Sequence, residues 1–197
     1  MKIKIFIIVL ISCLLEACAT LPAPQQPYNQ SLNWTARQKQ LGKITTWNIK
    51  GAVAIRSPQK NFSATMNWKQ RRSNYQISLF GPLGIGAVNI SGRSGKVTLQ
   101  TSDKQTFTAK NPETLLQKQL GWTLPVSSLY YWIRGLPVPK IPATKQFDGY
   151  SHLVKLQQQG WQIRYLRYSG INHVDLPSKI FLNYPKLSLK IVISSWE

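Results

Sequence analysis

The sequence predicts a mainly β domain with a few helices, built as one antiparallel sheet curled around its dry face. Three observations lead there. Long stretches alternate apolar and polar residues, as antiparallel strands do when one face is dry and the other wet. Two short segments with helix punctuation interrupt the strands in mid-chain, giving the order helix, about six strands, two helices, about four strands. Cys13 and Cys18 are the only cysteines. A chain processed at Cys18 keeps no free thiol for a disulfide or thiolate metal site, so packing must hold the domain.

The chain opens on a targeting signal. Met1-Lys-Ile-Lys is basic, Ile5–Leu15 is an apolar run of 11 residues, and Ala17 precedes Cys18. Eleven residues fall short of the ~20 that cross a bilayer. The pattern fits a lipoprotein signal over residues 1–17, with Cys18 acylated as the first mature residue. Glu16 stands where a small or apolar residue is usual. Leu10-Ile11-Ser12-Cys13 is a competing box, but it leaves about six apolar residues against the usual 7–15. A plain secretory signal with a chance cysteine is the remaining reading.

Residues 18–30 read as the acylated Cys and a flexible tether, because Pro22, Pro24 and Pro27 favour extended chain. Residues 31–197 read as one domain. Residues 31–42 form a helix capped by Ser31 or Asn33, with Leu32, Ala36 and Leu41 near helical spacing. Period two follows. Trp47, Ile49, Gly51, Val53 and Ile55 share one face, then Phe62, Ala64, Met66 and Trp68. Tyr75–Leu79, Ile85–Ile90, Val97–Thr101 and Gln105–Ala109 are the next strands. Asn111-Pro112-Glu113 starts a helix that Gly121 stops. A second helix runs from about Pro125 to Arg134. Strands resume near Tyr150–Gln157, Trp161–Tyr168, Lys179–Tyr184 and Leu187–Ile193. The helices either fill the curled sheet as an ordinary core or leave a cavity for an apolar ligand.

The charge is lopsided, with 25 Lys and Arg against 6 acids. Removing residues 1–17 takes away Lys2, Lys4 and Glu16 and leaves a formal +18. Such a field attracts nucleic acid, anionic lipid or an acidic protein surface. Export argues against nucleic acid, and the basic residues are scattered without a dense block.

Catalytic material is thin. His152 and His173 are the only histidines, and the acids form no spaced pair. His173-Val174-Asp175 lies in a Gly170–Pro177 stretch that reads as a surface loop. Gly81-Pro82-Leu83-Gly84 lacks the Lys-Ser/Thr of a phosphate loop, and no ligand set suggests a metal. The same segment carries large, apolar Leu83 at a turn between Pro82 and Gly84. It is either tucked in or an exposed probe for lipid or a partner.

Several segments together carry a resemblance over most of residues 18–197. They are Trp47–Ile55 with Phe62–Trp68, Tyr75–Phe80 leading into Gly81-Pro82-Leu83-Gly84, Pro125–Leu129 before Trp132-Ile133-Arg134-Gly135-Leu136-Pro137, and the C-terminal strand pair ending near Trp196. In order and spacing they resemble the LolB family of outer-membrane lipoproteins. The resemblance implies an open antiparallel half-barrel with a helical lid enclosing an apolar cavity, and no enzyme activity. It implies receipt of cargo lipoproteins from the periplasmic carrier LolA and their insertion into the inner leaflet of the outer membrane of a Gram-negative cell. The protein is expected to face the periplasm as a monomer, held by an N-acyl and S-diacylglycerol lipid on Cys18, with no other cofactor. The implied insertion tip is Leu83, flanked by Pro82 and Gly84. Trp47, Ile49, Phe62, Met66, Trp68, Tyr75 and Trp161 are the expected acyl-cavity lining, since aromatics and Met give adaptable apolar contact. The basic surface would dock an acidic carrier. Ala19 after the Cys is consistent with outer-membrane sorting. Two other readings are a lipoprotein that binds phospholipid or lipopolysaccharide, and a structural lipoprotein with a filled core.

Overall fold

The computed structural model describes residues 26–58, 61–82, 86–93 and 95–197. Cys18, Leu83 and Gly84 lie outside the described residues.

Helix α1 (Trp34–Gly42) precedes β1 (Thr46–Arg56), β2 (Asn61–Arg71), β3 (Asn74–Phe80), β4 (Val88–Arg93), β5 (Lys96–Thr101) and β6 (Thr106–Ala109). Helices α2 (Pro112–Leu120) and α3 (Val126–Trp132) follow, then β7 (Thr144–Phe147), β8 (Leu153–Gln158), β9 (Trp161–Ile171), β10 (Val174–Tyr184) and β11 (Leu187–Trp196). The strands form one antiparallel sheet in the order β6-β5-β4-β3-β2-β1-β11-β10-β9-β8-β7. The first and last strands therefore meet in the middle, and two meanders fan outward from them. β6 and β7 are the free edges, so the sheet is open rather than a closed barrel. The chain from β6 to β7 carries α2 and α3, which lie on the sheet's dry face.

Alternation places the core. Trp47, Ile49, Val53 and Ile55 of β1, Met66 and Trp68 of β2, and Leu189, Ile191 and Ile193 of β11 are all buried. A bulge between Lys50 and Gly51 shifts the pairing with β11. A Cβ at Gly51 would lie 2.0 Å from the Val192 carbonyl oxygen, so only glycine fits. Trp132 and Ile133, at the end of α3, are fully buried beneath the helices.

Helix punctuation held at α2. The Asn111 side chain accepts from the Thr114 N–H at 2.8 Å, and Gly121 closes the helix with φ 71°. Asn33, one of the two expected caps, accepts from the Ala36 N–H and starts α1 at Trp34. Other expectations need correction. Ala36 is exposed and Arg37 is buried in its place. The strand expected from Ile85 begins at Val88. There are five late strands, not four, because β7 is an edge strand with every residue exposed and no apolar alternation to betray it. The expected surface loop Gly170–Pro177 is instead a tight turn between β9 and β10, and Asp175 is buried.

Asp175 anchors the N-terminal segment. Its carboxylate accepts from the backbone N–H of Tyr28 at 2.6 Å and of Asn29 at 3.1 Å. The Gly170 N–H donates to the Gln26 carbonyl at 3.2 Å, and the Tyr28 ring lies where a Cβ on Gly170 would be. The expected tether therefore does not run free to residue 30: from Gln26 it is bonded to the domain. Both ring nitrogens of His152 face carboxylates, Nδ1 at 2.9 Å from Asp148 and Nε2 at 2.9 Å from Asp175. Arg37 completes the cluster, 3.8 Å from Asp175 and donating to the Gln30 and Tyr150 carbonyls.

Asp148 gives this cluster an acid limit. Burial works to raise its pKa, but hydrogen bonds from the His152 side chain and from the backbone N–H groups of His152 and Tyr150 outweigh it and hold the carboxyl below its ordinary range. A carboxyl with a lowered folded pKa stabilises the fold above its unfolded value, about pH 4, and loses that contribution as pH falls through the folded value. Urea midpoints should therefore fall between pH 5 and pH 3, and Asp148→Asn should flatten that fall. Equal slopes in both proteins would refute the assignment.

Candidate functional site

At one end of the strands, where the β2–β3 and β4–β5 turns lie, the helices do not fill the sheet. A cavity of about 810 Å³ opens there. This lies in the upper part of the ~300–1,000 Å³ range of small-molecule pockets. Trp68, Gln70, Tyr75, Gly92 and Val97 form the sheet side, and Val126, Ser127, Tyr130 and Tyr131 of α3 form the facing wall. Arg72, Arg93, Lys96 and Lys110 stand around it, with no acid among the described residues of the lining.

Local sequence builds each wall. Trp68 and Tyr75 share the dry face of the β2–β3 hairpin because Trp68 pairs with Ile77 and Gln70 with Tyr75. The Trp68 indole N–H donates to Gln70 at 2.9 Å, and the Gln70 amide donates to the Arg72 carbonyl at 2.6 Å, fixing the turn. Tyr75 lies across Gly92, its register partner, where a Cβ would meet the ring at 2.2 Å. The glycine thus makes room for the ring at the cavity. The Tyr75 hydroxyl is buried and has no hydrogen-bond partner among the described residues. Burial, with a smaller contribution from Glu113, pushes its pKa above the ordinary tyrosine range, so it stays protonated.

Arg134 holds the helical wall. Its Nε donates to the Tyr130 carbonyl at 3.0 Å and its Nη1 to the Ile44 carbonyl at 2.6 Å. The guanidinium lies 4.2 Å from the Tyr130 ring centre and 5.0 Å from that of Trp47. Burial lowers its pKa, and Tyr130 and Tyr131 oppose that. Its place was hidden in the sequence, where a single Arg at a helix end looks like a solvated cation.

The expected lining residues are distributed unevenly. Trp68 and Tyr75 line the cavity. Trp47 lies beneath its wall, 5.2 Å from the Tyr130 ring, and Ile49 and Met66 are buried in the core. Phe62 is at the other end of β2, packed on Trp122 at 5.0 Å. Trp161 lies on β9, stacked on Tyr184 at 5.1 Å and 6.1 Å from Trp132. At the loop after β3, Pro82 is exposed and Phe80 is 45% exposed. Phe80, Gly81 and Pro82 also border a groove of about 490 Å³ over Ala52, Ala54, Ser63 and Thr65. Tyr130 and Tyr131 carry no signal in the sequence, where aromatics on a short helix read as ordinary core.

Solved structures share this fold. A LolA superfamily protein from Nitrosomonas europaea matches with a TM-score of 0.57 at 8% identity, over 84% of this chain and 93% of its own. A DUF1329 family protein from Desulfovibrio piger matches with a TM-score of 0.55 at 7% identity, over 88% and 93%. Sequence narrows the class. The family model for outer membrane lipoprotein LolB matches residues 45–196. The outer-membrane lipoprotein LolB of Coxiella burnetii is 45% identical over 193 residues, 96% of this chain and 91% of the relative. That of Pseudomonas paraeruginosa is 39% identical over 199 residues, covering 100% and 97%. The chain belongs to the LolB family.

Proposed function

We propose that this chain is a lipid-anchored outer-membrane lipoprotein, facing the periplasm, that takes lipoproteins from the carrier LolA and inserts them into the inner leaflet. The observation that carries this reading is the cavity between α3 and strands β2–β5 in a chain of this family. Acyl chains gain about 0.8 kcal/mol per buried methylene, so bare passage through water is prohibitive and a shielding cavity is needed. Trp68 and Tyr75 receive the chains, over a floor built on Trp47, Ile49 and Met66. Phe62 and Trp161 shape the fold around that floor. Transfer runs downhill by relative affinity: the cavity holds chains better than the carrier and less well than the bilayer. Leu83, between Pro82 and Gly84, is the apolar tip that enters the leaflet. The positive field speeds encounter with an acidic carrier. No step calls for catalysis.

The test is transfer of a radiolabelled lipoprotein from its loaded carrier to outer-membrane vesicles. Wild type should transfer, more slowly at high ionic strength. Leu83→Glu should accept cargo and deliver less than about a tenth as much. A wild type that never takes cargo would overturn the reading.

A further inference from the structure

The cavity's charge is not accounted for by an acyl chain. Arg72, Arg93, Lys96 and Lys110 all line it, and among the described residues none of the four is in an ion pair. Glu113, the acid that acts on the Tyr75 hydroxyl, is outside the lining, and its carboxylate is engaged by the Ser127 N–H at 2.9 Å. The rim is set by the fold. Arg72 belongs to the β2–β3 turn, and Arg93 pairs with Lys96 across the β4–β5 turn. From β2 to β5 is three strand spacings, about 14 Å. Inside the ring of cations, the Tyr75 hydroxyl is a buried, protonated donor without a partner. A buried donor left unpaired costs stability unless a ligand supplies an acceptor.

We propose that the mouth of the cavity is a binding subsite for the phosphodiester head of an anionic glycerophospholipid. Its acyl chain enters between Trp68 and Tyr130, an ester carbonyl accepts from Tyr75, and the phosphate sits among the four cations. The inference rests on the cavity being the acyl site, and it adds a second lipid class to what that site takes. Neutral diacylglycerol offers the ester but no anion, so the rim discriminates between the two.

The test is quenching of tryptophan fluorescence in the purified full-length protein by lipids brominated on their acyl chains, in detergent at low salt. Brominated phosphatidylglycerol should bind about tenfold tighter than brominated diacylglycerol. Arg72→Gln with Arg93→Gln should bring the two near parity and leave diacylglycerol binding unchanged, with an unchanged melting temperature as the folding control. Tyr75→Phe should weaken the ester lipids about fivefold and leave a dialkyl ether phosphatidylglycerol unaffected. Millimolar inorganic phosphate should compete with phosphatidylglycerol and spare diacylglycerol. Equal binding of both lipids by wild type would overturn the subsite and leave the cavity reading standing. Quenching by neither would remove both. A double variant that loses uptake from the carrier while keeping its phosphatidylglycerol preference would assign the rim to an acidic protein instead.

Discussion

Trp132→Ala will destabilise the domain by about 4 kcal/mol, the range for emptying a fully buried tryptophan site. Trp132 has no exposed surface and joins three elements. Its indole N–H donates to Gln158 on β8 at 2.9 Å, its ring lies 6.1 Å from that of Trp161 on β9, and its carbonyl accepts from the Tyr165 hydroxyl at 2.9 Å. Gln158 in turn accepts from the Val138 N–H and donates to the Val138 and Ile141 carbonyls, so one amide pins the long connection after α3. Truncation leaves a cavity and strips a buried Gln of one donor. For a domain of this size the melting temperature should fall by roughly 8–16 °C. Trp132→Phe keeps most of the volume and should lose about half as much. A loss under about 1 kcal/mol for the alanine variant would mean that α3 is not fastened to the sheet as described.

Asp175→Ala will cost about 3–5 kcal/mol, the range for removing one partner of a buried charged pair. The carboxylate is the shared acceptor for the Tyr28 and Asn29 N–H groups and faces His152 Nε2 and the Arg37 guanidinium. Arg37 is as deeply buried as its partner, and its Nε has no hydrogen-bond partner among the described residues. Without Asp175 that cation would lose the acid it pairs with among the described residues. Amide exchange would separate the two consequences. Protection at Tyr28 and Asn29 should be lost outright, while β1 and β11 should weaken only with global stability. Unchanged exchange at residues 28 and 29 would refute the anchor.

The strands flanking the sheet centre were legible because alternation was unbroken: Trp47 to Ile55 and Phe62 to Trp68 face the way their spacing says. Asn111-Pro112 and Gly121 marked α2 for a local reason, since caps act within one turn. What escaped the sequence was produced by pairing at a distance. Thr144–Phe147 has no inner face, so nothing in it signalled a strand. Asp175 looked like loop polarity because its partners, Arg37 and His152, are far along the chain. Arg72, Arg93, Lys96 and Lys110 looked scattered, and they are scattered in sequence; turns at one end of the sheet gather them. Of the expected lining, Trp68 and Tyr75 reach the cavity while Phe62 does not. The period of a strand tells which face a residue takes and not how far along that face the helices extend.

The bonding of Gln26, Tyr28 and Asn29 to the β9–β10 turn has a mechanical consequence for a chain held at Cys18. Seven residues lie between Cys18 and Gln26, a leash of at most about 29 Å over its eight Cα steps. It leaves the domain beside the start of β10, whereas β3 ends level with Lys179, because Phe80 pairs with Thr65, Thr65 with Ala52, Ala52 with Val192 and Val192 with Lys179. The five residues from Val174 to Lys179 rise about 17 Å along the strands, less than the leash. A chain held at Cys18 would therefore bring the loop after β3 toward the anchoring surface with the Asp175 anchor still made, and the length of chain between Cys18 and Gln26 would set how far the domain tilts.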